Sequence, residues 1–336
     1  MKALFTYPLP FMLAHGGAQI QIEQTQAALE KAGVTVEPLR WWDEKQTGDV
    51  LHSFARIPTH HLVLAQQKGM KVVVADLLTE QGSRSLLRRK FQKLVTVAMK
   101  RSLPGFFTGI FNWDTYRLAD ACVALTTWEA CLMADMFGAN PQKIHVLPNG
   151  VEDVFLNSRP VERGKWLVCT ATITERKRVN ELAEAAVLSQ APIWMIGKAY
   201  SESDPYARRF FELSKKHPEV VRYEGPIGDR TKLAQVYREA RGFVLLSSME
   251  SLSLSALEAA ACECPLLLSD LPWARTVFGA SVSYCPVTSA AGRTAKTLRA
   301  FYHAAPTLSA PPRPAPWIEI GQRLKTLYEG LLKTSR

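Results

Sequence analysis

Short apolar runs rich in β-branched residues alternate along the chain with segments whose apolar residues recur at helical spacing. In chain order, the first half reads as strand 3–7, helix 18–33, strand 34–39, strand 49–54, helix 59–69 and strand 71–78. A strand, a helix capped by Thr127 and a further strand follow within 119–150. Strands that alternate with helices predict a parallel sheet with helices on both faces.

The alternation starts again after residue 155 and continues to about residue 304. The pattern therefore predicts the α/β class, with two Rossmann-like doubly wound domains at 1–155 and 156–304. Such domains in tandem form a cleft at the carboxyl ends of their strands, where doubly wound sheets bind ligands. Segment 305–316 is too rich in proline for a helix or a central strand, and it leads into an amphipathic helix at 317–334.

Composition excludes several classes of protein. No run reaches the roughly 18 apolar residues of a membrane span, and Pro8 and Pro10 interrupt the first apolar segment too early for a secretory signal, so we expect a cytoplasmic protein. Neither a CxxC pair nor an HExxH motif is present, and we expect no metal, cofactor or disulfide. The formal charge is +10, and residues 158–336 hold 25 basic and 17 acidic side chains, so the second half attracts anions.

Two loops carry candidate anion sites. Arg176, Lys177 and Arg178 stand at the end of a predicted strand and the start of its helix. Cations are unfavourable at a helix N-terminus, so a bound polyanion explains them better than folding alone does. In the first domain, Gly16 and Gly17 allow close approach of a ligand to the backbone, although a plain turn would use the same residues.

A pair of carboxylates marks the second domain. Glu250 follows the predicted strand 242–248, and Glu258 is expected about two turns into a helix that begins near Leu252. A carboxylate accepts hydrogen bonds from two adjacent hydroxyls, which suits a ribose or a sugar diol. A solvated Glu258 is the alternative, but the sequence around it, LEAAACECPLLL, has the character of a buried segment.

These motifs resemble a known family, the retaining, nucleotide-sugar-dependent glycosyltransferases of family 4, which have the GT-B fold. The resemblance covers nearly the whole chain and is strongest over 114–278. It rests on the Glu-x7-Glu spacing of Glu250 and Glu258, the following EAAACECPLLLSD, the N-terminal GGAQ, and two longer segments, ADACVALTTWEACLMADMFGANPQKIHVLPNGVEDVF and YEGPIGDRTKLAQVYREARGFVLLSS.

The resemblance implies a metal-independent hexosyltransferase that moves a sugar from a UDP- or GDP-linked donor to a hydroxyl of a glycan, glycolipid or lipid-linked acceptor. It also implies that the C-terminal helix returns to the first domain. Lys177 would neutralise the diphosphate, Glu258 would hold the ribose and Glu250 the transferred sugar. The remaining donor-binding residues would be Gly16, Gly17, Thr172, Arg176, Arg178, Ile227, Ser251, Leu252, Ser253 and Leu254, and those on the acceptor or sugar side would be His15, His52 and Asp76.

The sequence departs from the family at three places. Thr172 stands where the family has a phosphate-binding arginine, for which Arg176 or Arg178 is a substitute. Ser251 and Ser253 replace glycines, and Asp76 or Leu77 replaces a histidine, with His52 on the neighbouring strand. A non-catalytic GT-B subunit that binds nucleotide sugar is therefore the alternative function. Nucleic-acid binding has only the net charge in its favour and no recognisable module.

Residues 84–101 contain seven basic side chains and no acidic one, on a predicted helix with an apolar stripe. Two interpretations stay open. The stripe, with Leu87, Phe91 and Leu94, packs on the first domain's sheet, or the segment 84–111 rests on an anionic membrane surface and places the protein at the inner face of a membrane.

Overall fold

The computed structural model describes residues 1–7, 11, 16–102, 111–157, 161–287 and 290–333. The chain forms two compact units, and the described residues of each are considered separately. The first unit contains Met1–Asn149 together with Trp317–Arg336, and the second contains Gly150–Pro316.

The first unit is built on a six-stranded sheet with the order β2-β1-β3-β4-β5-β6. All neighbouring strands run parallel. The strands are β1 Lys2–Thr6, β2 Thr35–Pro38, β3 Val50–Ser53, β4 Lys71–Val74, β5 Ala121–Ala124 and β6 Ile144–Val146. The helices are α1 Gly17–Lys31, α2 Thr59–Gln67, α3 Thr79–Ser83, α4 Leu86–Ser102, α5 Thr115–Leu118 and α6 Thr127–Phe137, with the C-terminal helix Trp317–Lys333.

The second unit contains another six-stranded parallel sheet, with the order β12-β11-β10-β7-β8-β9. Its strands are β7 Leu167–Thr170, β8 Ile193–Ile196, β9 Val221–Tyr223, β10 Gly242–Leu245, β11 Leu266–Ser269 and β12 Ser283–Cys285. Its helices are α7 Asp153–Leu156, α8 Val179–Ser189, α9 Pro205–Lys216, α10 Arg230–Glu239, α11 Leu254–Ala261, α12 Pro272–Phe278 and α13 Ala291–Ala304. The prediction of two doubly wound α/β sheets is confirmed.

The C-terminal helix, α14 (Trp317–Lys333), packs against α1 in the first unit. Leu324 and Tyr328 join a buried cluster with Phe5 and Leu29 on one face of the sheet. Gly321 permits the approach of the two helices, because a Cβ atom at this position would lie 2.5 Å from the carbonyl oxygen of Ala28. The apolar stripe of this helix is therefore buried by the first unit.

Two helices begin at other residues than the sequence pattern indicates. Helix α6 begins at Thr127, but the side chain of Thr126, one residue earlier, is its cap and accepts from the Glu129 N–H. Helix α11 begins at Leu254 instead of Leu252, because Ser253 has extended backbone and its hydroxyl accepts from the Ala256 N–H. Glu258 consequently lies just over one turn into its helix.

The apolar stripe of α4 does not pack on the sheet. Leu87, Phe91 and Leu94 are exposed, with 80%, 68% and 67% of their surface accessible. The interpretation that this stripe belongs to the core is therefore wrong. Phe106, Phe107 and Ile110, which belong to the segment 84–111 of the membrane interpretation, lie outside the described residues. Among the described helices, none is long and apolar enough to cross a membrane.

Candidate functional site

The site lies at the point where the strand order of the second sheet reverses. After β7 the chain proceeds outward through β8 and β9, returns to place β10 beside β7, and continues in the opposite direction through β11 and β12. The loops that follow β7 and β10 thus leave the same edge of the sheet in opposite directions. Doubly wound sheets bind ligands at such a switch point.

The loop after β7 brings cations to this edge. Glu175–Lys177 forms one turn of 3-10 helix, and Arg178 has a φ of 53° in the left-handed region as the chain enters α8. Ser248, in the loop after β10, donates its backbone N–H to the Arg176 carbonyl at 2.8 Å. The two loops are therefore joined through their backbones.

The carboxylate of Glu250 lies between the cations of the β7 loop. Lys177 donates directly to Glu250 Oε1, and Arg176 Nη1 lies 3.3 Å from the same oxygen. Arg176 also donates to the Met249 carbonyl at 2.9 Å. Burial acts to raise the pKa of the Glu250 carboxyl, but Lys177 and Arg176 outweigh this effect and hold the pKa below its usual range. Glu250 is therefore an anion within a positively charged group of side chains.

The carboxylate of Glu258 has two partners on α10, Arg230 and Tyr237. Arg230 donates to Oε1 of Glu258, and the Tyr237 hydroxyl donates to Oε2 at 3.3 Å. Arg230 also donates through Nε to Glu152 at 2.7 Å, and its guanidinium lies 4.7 Å from the centre of the Phe155 ring. Burial raises the pKa of Glu258, and Arg230 offsets only part of that rise.

Arg230 is a functional candidate that the sequence pattern did not predict, although a local signal for it exists. Arg230 is the first residue of α10, after the cap Asp229, so it is a cation at a helix N-terminus. The anion site at residues 176–178 was predicted from the same unfavourable placement of cations. Its partner Glu258 is 28 residues away and belongs to another helix, which local periodicity does not reveal.

The remaining predicted donor-binding residues of the second unit lie in the turn into α11, in the segment after β7 and in the loop between β9 and α10. Ser251, Leu252, Ser253 and Leu254 are buried in the turn that leads into α11. Thr172 is half-buried just after β7, and Ile227 is half-buried in the loop between β9 and α10. Arg178 is 7% exposed and its Nε lies 3.7 Å from Glu181, so part of its charge is compensated within its own helix.

The predicted residues of the first unit occupy different environments. Gly16 has a φ of 138°, which only glycine adopts readily, and it precedes the first residue of α1, Gly17. Asp76 accepts from the Tyr116 hydroxyl and lies 3.3 Å from Arg56, and burial raises the pKa of its carboxyl. His15 lies outside the described residues.

His52 is a core residue in this structure. It is 1% exposed, its Nδ1 lies 2.5 Å from the Tyr328 hydroxyl, and its ring neighbours those of Phe5 and Phe54. Burial lowers its pKa to about 3, so the ring is neutral. These contacts favour a role in packing α14 over contact with a sugar.

Comparison with known proteins first defines the class of fold. The sucrose-phosphate synthase of Thermosynechococcus elongatus superposes with a TM-score of 0.68 and 17% identity over 99% of each chain. HepE of Anabaena, in complex with UDP and glucose, gives 0.65 and 12%, also over 99% of each chain. A glycosyltransferase of Rickettsia africae gives 0.61 and 14% over 99% of this chain and 98% of that one. At these identities the likeness is one of fold, the GT-B fold.

A match to a protein-family model then defines the class of protein more closely than the fold does. Residues 164–313, just under half of the chain, match the family described as glycosyl transferases group 1. The match falls within the second unit and includes Lys177, Arg230, Glu250 and Glu258. Together, the match and the fold support a GT-B glycosyltransferase. No curated protein sequence matches the chain significantly.

Proposed function

We propose that this protein transfers a sugar from a nucleotide-diphosphate sugar to a hydroxyl of an acceptor. The observation that carries the proposal is the contact of Lys177 and Arg176 with Glu250 at the switch point of the second sheet. A diphosphate needs cations, and a sugar needs hydrogen-bond acceptors for its hydroxyls. This group of side chains offers both at one edge.

In the proposed donor complex, the ammonium of Lys177 moves from Glu250 to the diphosphate. The Glu250 carboxylate then accepts hydrogen bonds from hydroxyls of the transferred sugar. The cap of α11, with Ser251, Ser253 and Leu254, presents a helix N-terminus to the same anion. Thr172 stands where the family has a phosphate-binding arginine, and Arg176 would supply that contact instead.

The nucleoside is assigned to Glu258 and to the loop that contains Ile227. Each carboxylate oxygen of Glu258 already accepts one hydrogen bond, from Arg230 or from Tyr237, and has a second lone pair for a ribose hydroxyl. Arg230 would therefore orient Glu258 without blocking it. Gly16, Gly17, Arg178, Asp76 and His15 remain predicted contacts of the donor or acceptor, whereas His52 is left out because its contacts favour packing.

Charge compensation by the chain itself is the proposed source of catalysis. As the diphosphate leaves, Arg176, Lys177 and the N-terminus of α11 stabilise its growing negative charge. A metal-independent, retaining transfer, in which the leaving phosphate takes the acceptor proton, is the mechanism that the family resemblance implies. Within the described part of the chain, no three His, Cys, Asp or Glu side chains are grouped so as to hold a metal ion.

The donor base is proposed from the related structures, and the acceptor from the sequence. HepE was solved in complex with UDP-glucose, and another relative, the pneumococcal O-GlcNAc transferase GtfA, in complex with UDP and GlcNAc. UDP is therefore the first nucleotide to test, and GDP is the second. The proposed acceptor is a glycan, a glycolipid or a lipid-linked sugar, used in the cytoplasm at the membrane surface.

A non-catalytic subunit that binds nucleotide sugar is the second candidate. Thr172 favours it, because the family has an arginine at this position. Both functions predict binding of nucleotide, but only the first predicts turnover.

Thermal unfolding with UDP, GDP or ADP tests the binding of nucleotide. A nucleotide at 100 times its Kd stabilises the folded chain by about 2.7 kcal/mol. Slow release of free nucleotide from a panel of nucleotide sugars then tests catalysis, with Lys177→Ala as the control. Stabilisation without turnover on any donor supports the non-catalytic subunit. The absence of stabilisation by every nucleotide contradicts both functions.

A further inference from the structure

The side of helix α4 that faces the protein is largely polar, apart from Met99, which packs against the core of the first unit. The least exposed positions along it are Arg89, Gln92, Thr96 and Met99, which recur every three or four residues and therefore lie on one side. Thr96 is buried, with 1% of its surface accessible. Leu87, Phe91 and Leu94 occupy the opposite side and are exposed. This arrangement inverts the usual one, in which a surface helix buries its apolar stripe.

Polar contacts hold α4 in this orientation. The guanidinium of Arg89 lies 4.3 Å from the centre of the Trp128 ring on α6, and its Nε donates to the Arg84 carbonyl at 3.2 Å. Lys93 Nζ lies 3.8 Å from Asp135, also on α6. The apolar stripe therefore faces outward because the opposite side has specific partners in the first unit.

The exposed stripe continues into a groove along one side of α4. The groove has a volume of about 580 Å³, and its apolar lining comes from Leu87, Phe91, Val95 and Trp113. The buried hydroxyl of Thr96 also borders it and has no hydrogen-bond partner among the described residues. A contiguous apolar surface of this kind marks an interaction site more often than a scattered exposed leucine does.

Cations lie beside the stripe. Arg88, Lys90 and Arg101 are exposed on α4, and no acidic residue occurs from 84 to 102. The nearest acidic residue before the helix, Glu80, is paired with Arg84. An occupant of the surface must therefore be both apolar and negatively charged.

We propose that the α4 surface, formed by Leu87, Phe91, Leu94, Arg88 and Lys90, binds a membrane that contains anionic lipids. The apolar side chains enter the boundary between headgroups and acyl chains, and the flanking cations contact lipid phosphates, as in interfacial amphipathic helices. A second copy of the chain fits less well, because a symmetric contact would bring two basic surfaces together. The proposal goes beyond sugar transfer, since it concerns the partner of the first unit.

Co-sedimentation of the full chain with phosphatidylglycerol or phosphatidylcholine vesicles, at low and high salt and without donor, tests the proposal. The protein is expected to bind phosphatidylglycerol vesicles preferentially and less strongly at high salt. Since no sugar is transferred in this assay, its failure would leave the proposed sugar transfer standing and would remove only the membrane surface as the place of the acceptor. Equal recovery with both vesicles would overturn the proposal.

Two sets of variants separate charge from apolar contact. Combined Arg88→Gln, Lys90→Gln and Arg101→Gln, at three exposed cations of α4, should weaken binding at low salt at least tenfold, because each cation near the surface contributes about fivefold. The matched control removes three cations from α13, through Arg293→Gln, Lys296→Gln and Arg299→Gln, and should bind as the original chain does. Equal losses in both variants would indicate a response to net charge alone and would overturn the assignment to α4.

The apolar contact is tested by Leu87→Ser combined with Phe91→Ser. Binding to phosphatidylglycerol vesicles should fall at least tenfold at either salt concentration, with an unchanged melting temperature because both side chains are exposed. Leu188→Ser, at a 63% exposed position on α8, is the control. Binding equal to that of the original chain would overturn the proposal, as would a concentration-dependent dimer that this double substitution abolishes.

Discussion

Lys177 and Glu250, 73 residues apart in the chain, form an ion pair at the point where the second sheet reverses its strand order. Both side chains are largely buried, with 12% and 10% of their side-chain surface accessible. The backbones of their loops are joined by the hydrogen bond from Ser248 to Arg176. In the proposed donor complex, the diphosphate draws the Lys177 ammonium away from Glu250. The Glu250 carboxylate then becomes available to accept hydrogen bonds from the sugar, so the two events are coupled.

Lys177→Ala tests this coupling. Nucleotide affinity and turnover should fall about ten- to a hundredfold, because a lost charge-assisted contact costs roughly 1.5 to 3 kcal/mol. Isothermal titration with UDP and donor hydrolysis measure the two effects. Lys232→Ala, at an exposed position on α10, is the matched control and should leave both unchanged. Wild-type turnover in folded Lys177→Ala protein would contradict the site assignment.

Arg230→Ala should destabilise the second unit by about 2 kcal/mol, the typical cost of leaving a buried hydrogen-bond acceptor without its partner. The substitution leaves Glu258 buried without its cation, which raises the pKa of that carboxyl further and favours its protonated form. A protonated Glu258 is a poorer acceptor for ribose hydroxyls, so nucleotide affinity should fall as well. Urea unfolding and nucleotide titration measure the two effects, and Arg208→Ala, at an exposed position on α9, is the control. Unchanged unfolding of Arg230→Ala would show that the contact with Glu258 contributes nothing to stability.

Gly321→Ala should lower the free energy of unfolding by about 1 to 3 kcal/mol, the usual cost of overpacking a close contact. The added methyl group would meet the backbone of Ala28, so α14 and α1 would have to move apart. Gly330→Ala, on the same helix, has open space around its Cβ position and should instead stabilise by up to about 1 kcal/mol through helix propensity. Urea unfolding of both variants measures the two changes in the free energy of unfolding. An equal gain in both would contradict the close packing at Gly321.

His52 should make the first unit sensitive to acid. Its folded pKa of about 3 lies below its ordinary value of 6.5, so the unfolded chain binds the extra proton between these values. The free energy of unfolding therefore falls as the pH drops through this range, by up to about 1.4 kcal/mol per pH unit. His52→Phe should reduce this slope between pH 7 and pH 5, measured by urea unfolding.

The control for that measurement is His60→Gln, which replaces an exposed histidine at the start of α2. His52→Phe also loses the hydrogen bond with Tyr328, so its stability at pH 7 should be lower than that of the original chain. An unchanged slope in His52→Phe would mean that the buried ring is not the source of the sensitivity.

Local periodicity determined the two doubly wound sheets. Period-2 and helical patterns arise within segments of a few turns, so strands such as Val50–Ser53 and helices such as Gly17–Lys31 were predicted to within a few residues. The Glu-x7-Glu spacing indicated Glu250 and Glu258 for the same reason, since one loop and one helix carry both. The starts of α6 and α11 differ from the prediction by one or two residues, because Thr126 and Ser253 compete as caps with neighbours of similar chemistry.

The contact partners of the buried polar side chains, and the side of α4 that faces outward, depended on the tertiary structure. Arg230 reaches Glu258 from another helix, and His52 meets Tyr328 across 276 residues, so no local pattern contains either contact. The outward stripe of α4 is decided in the same way. Its amphipathic pattern defines two sides, but only tertiary contacts such as that of Arg89 with Trp128 show which side faces the protein.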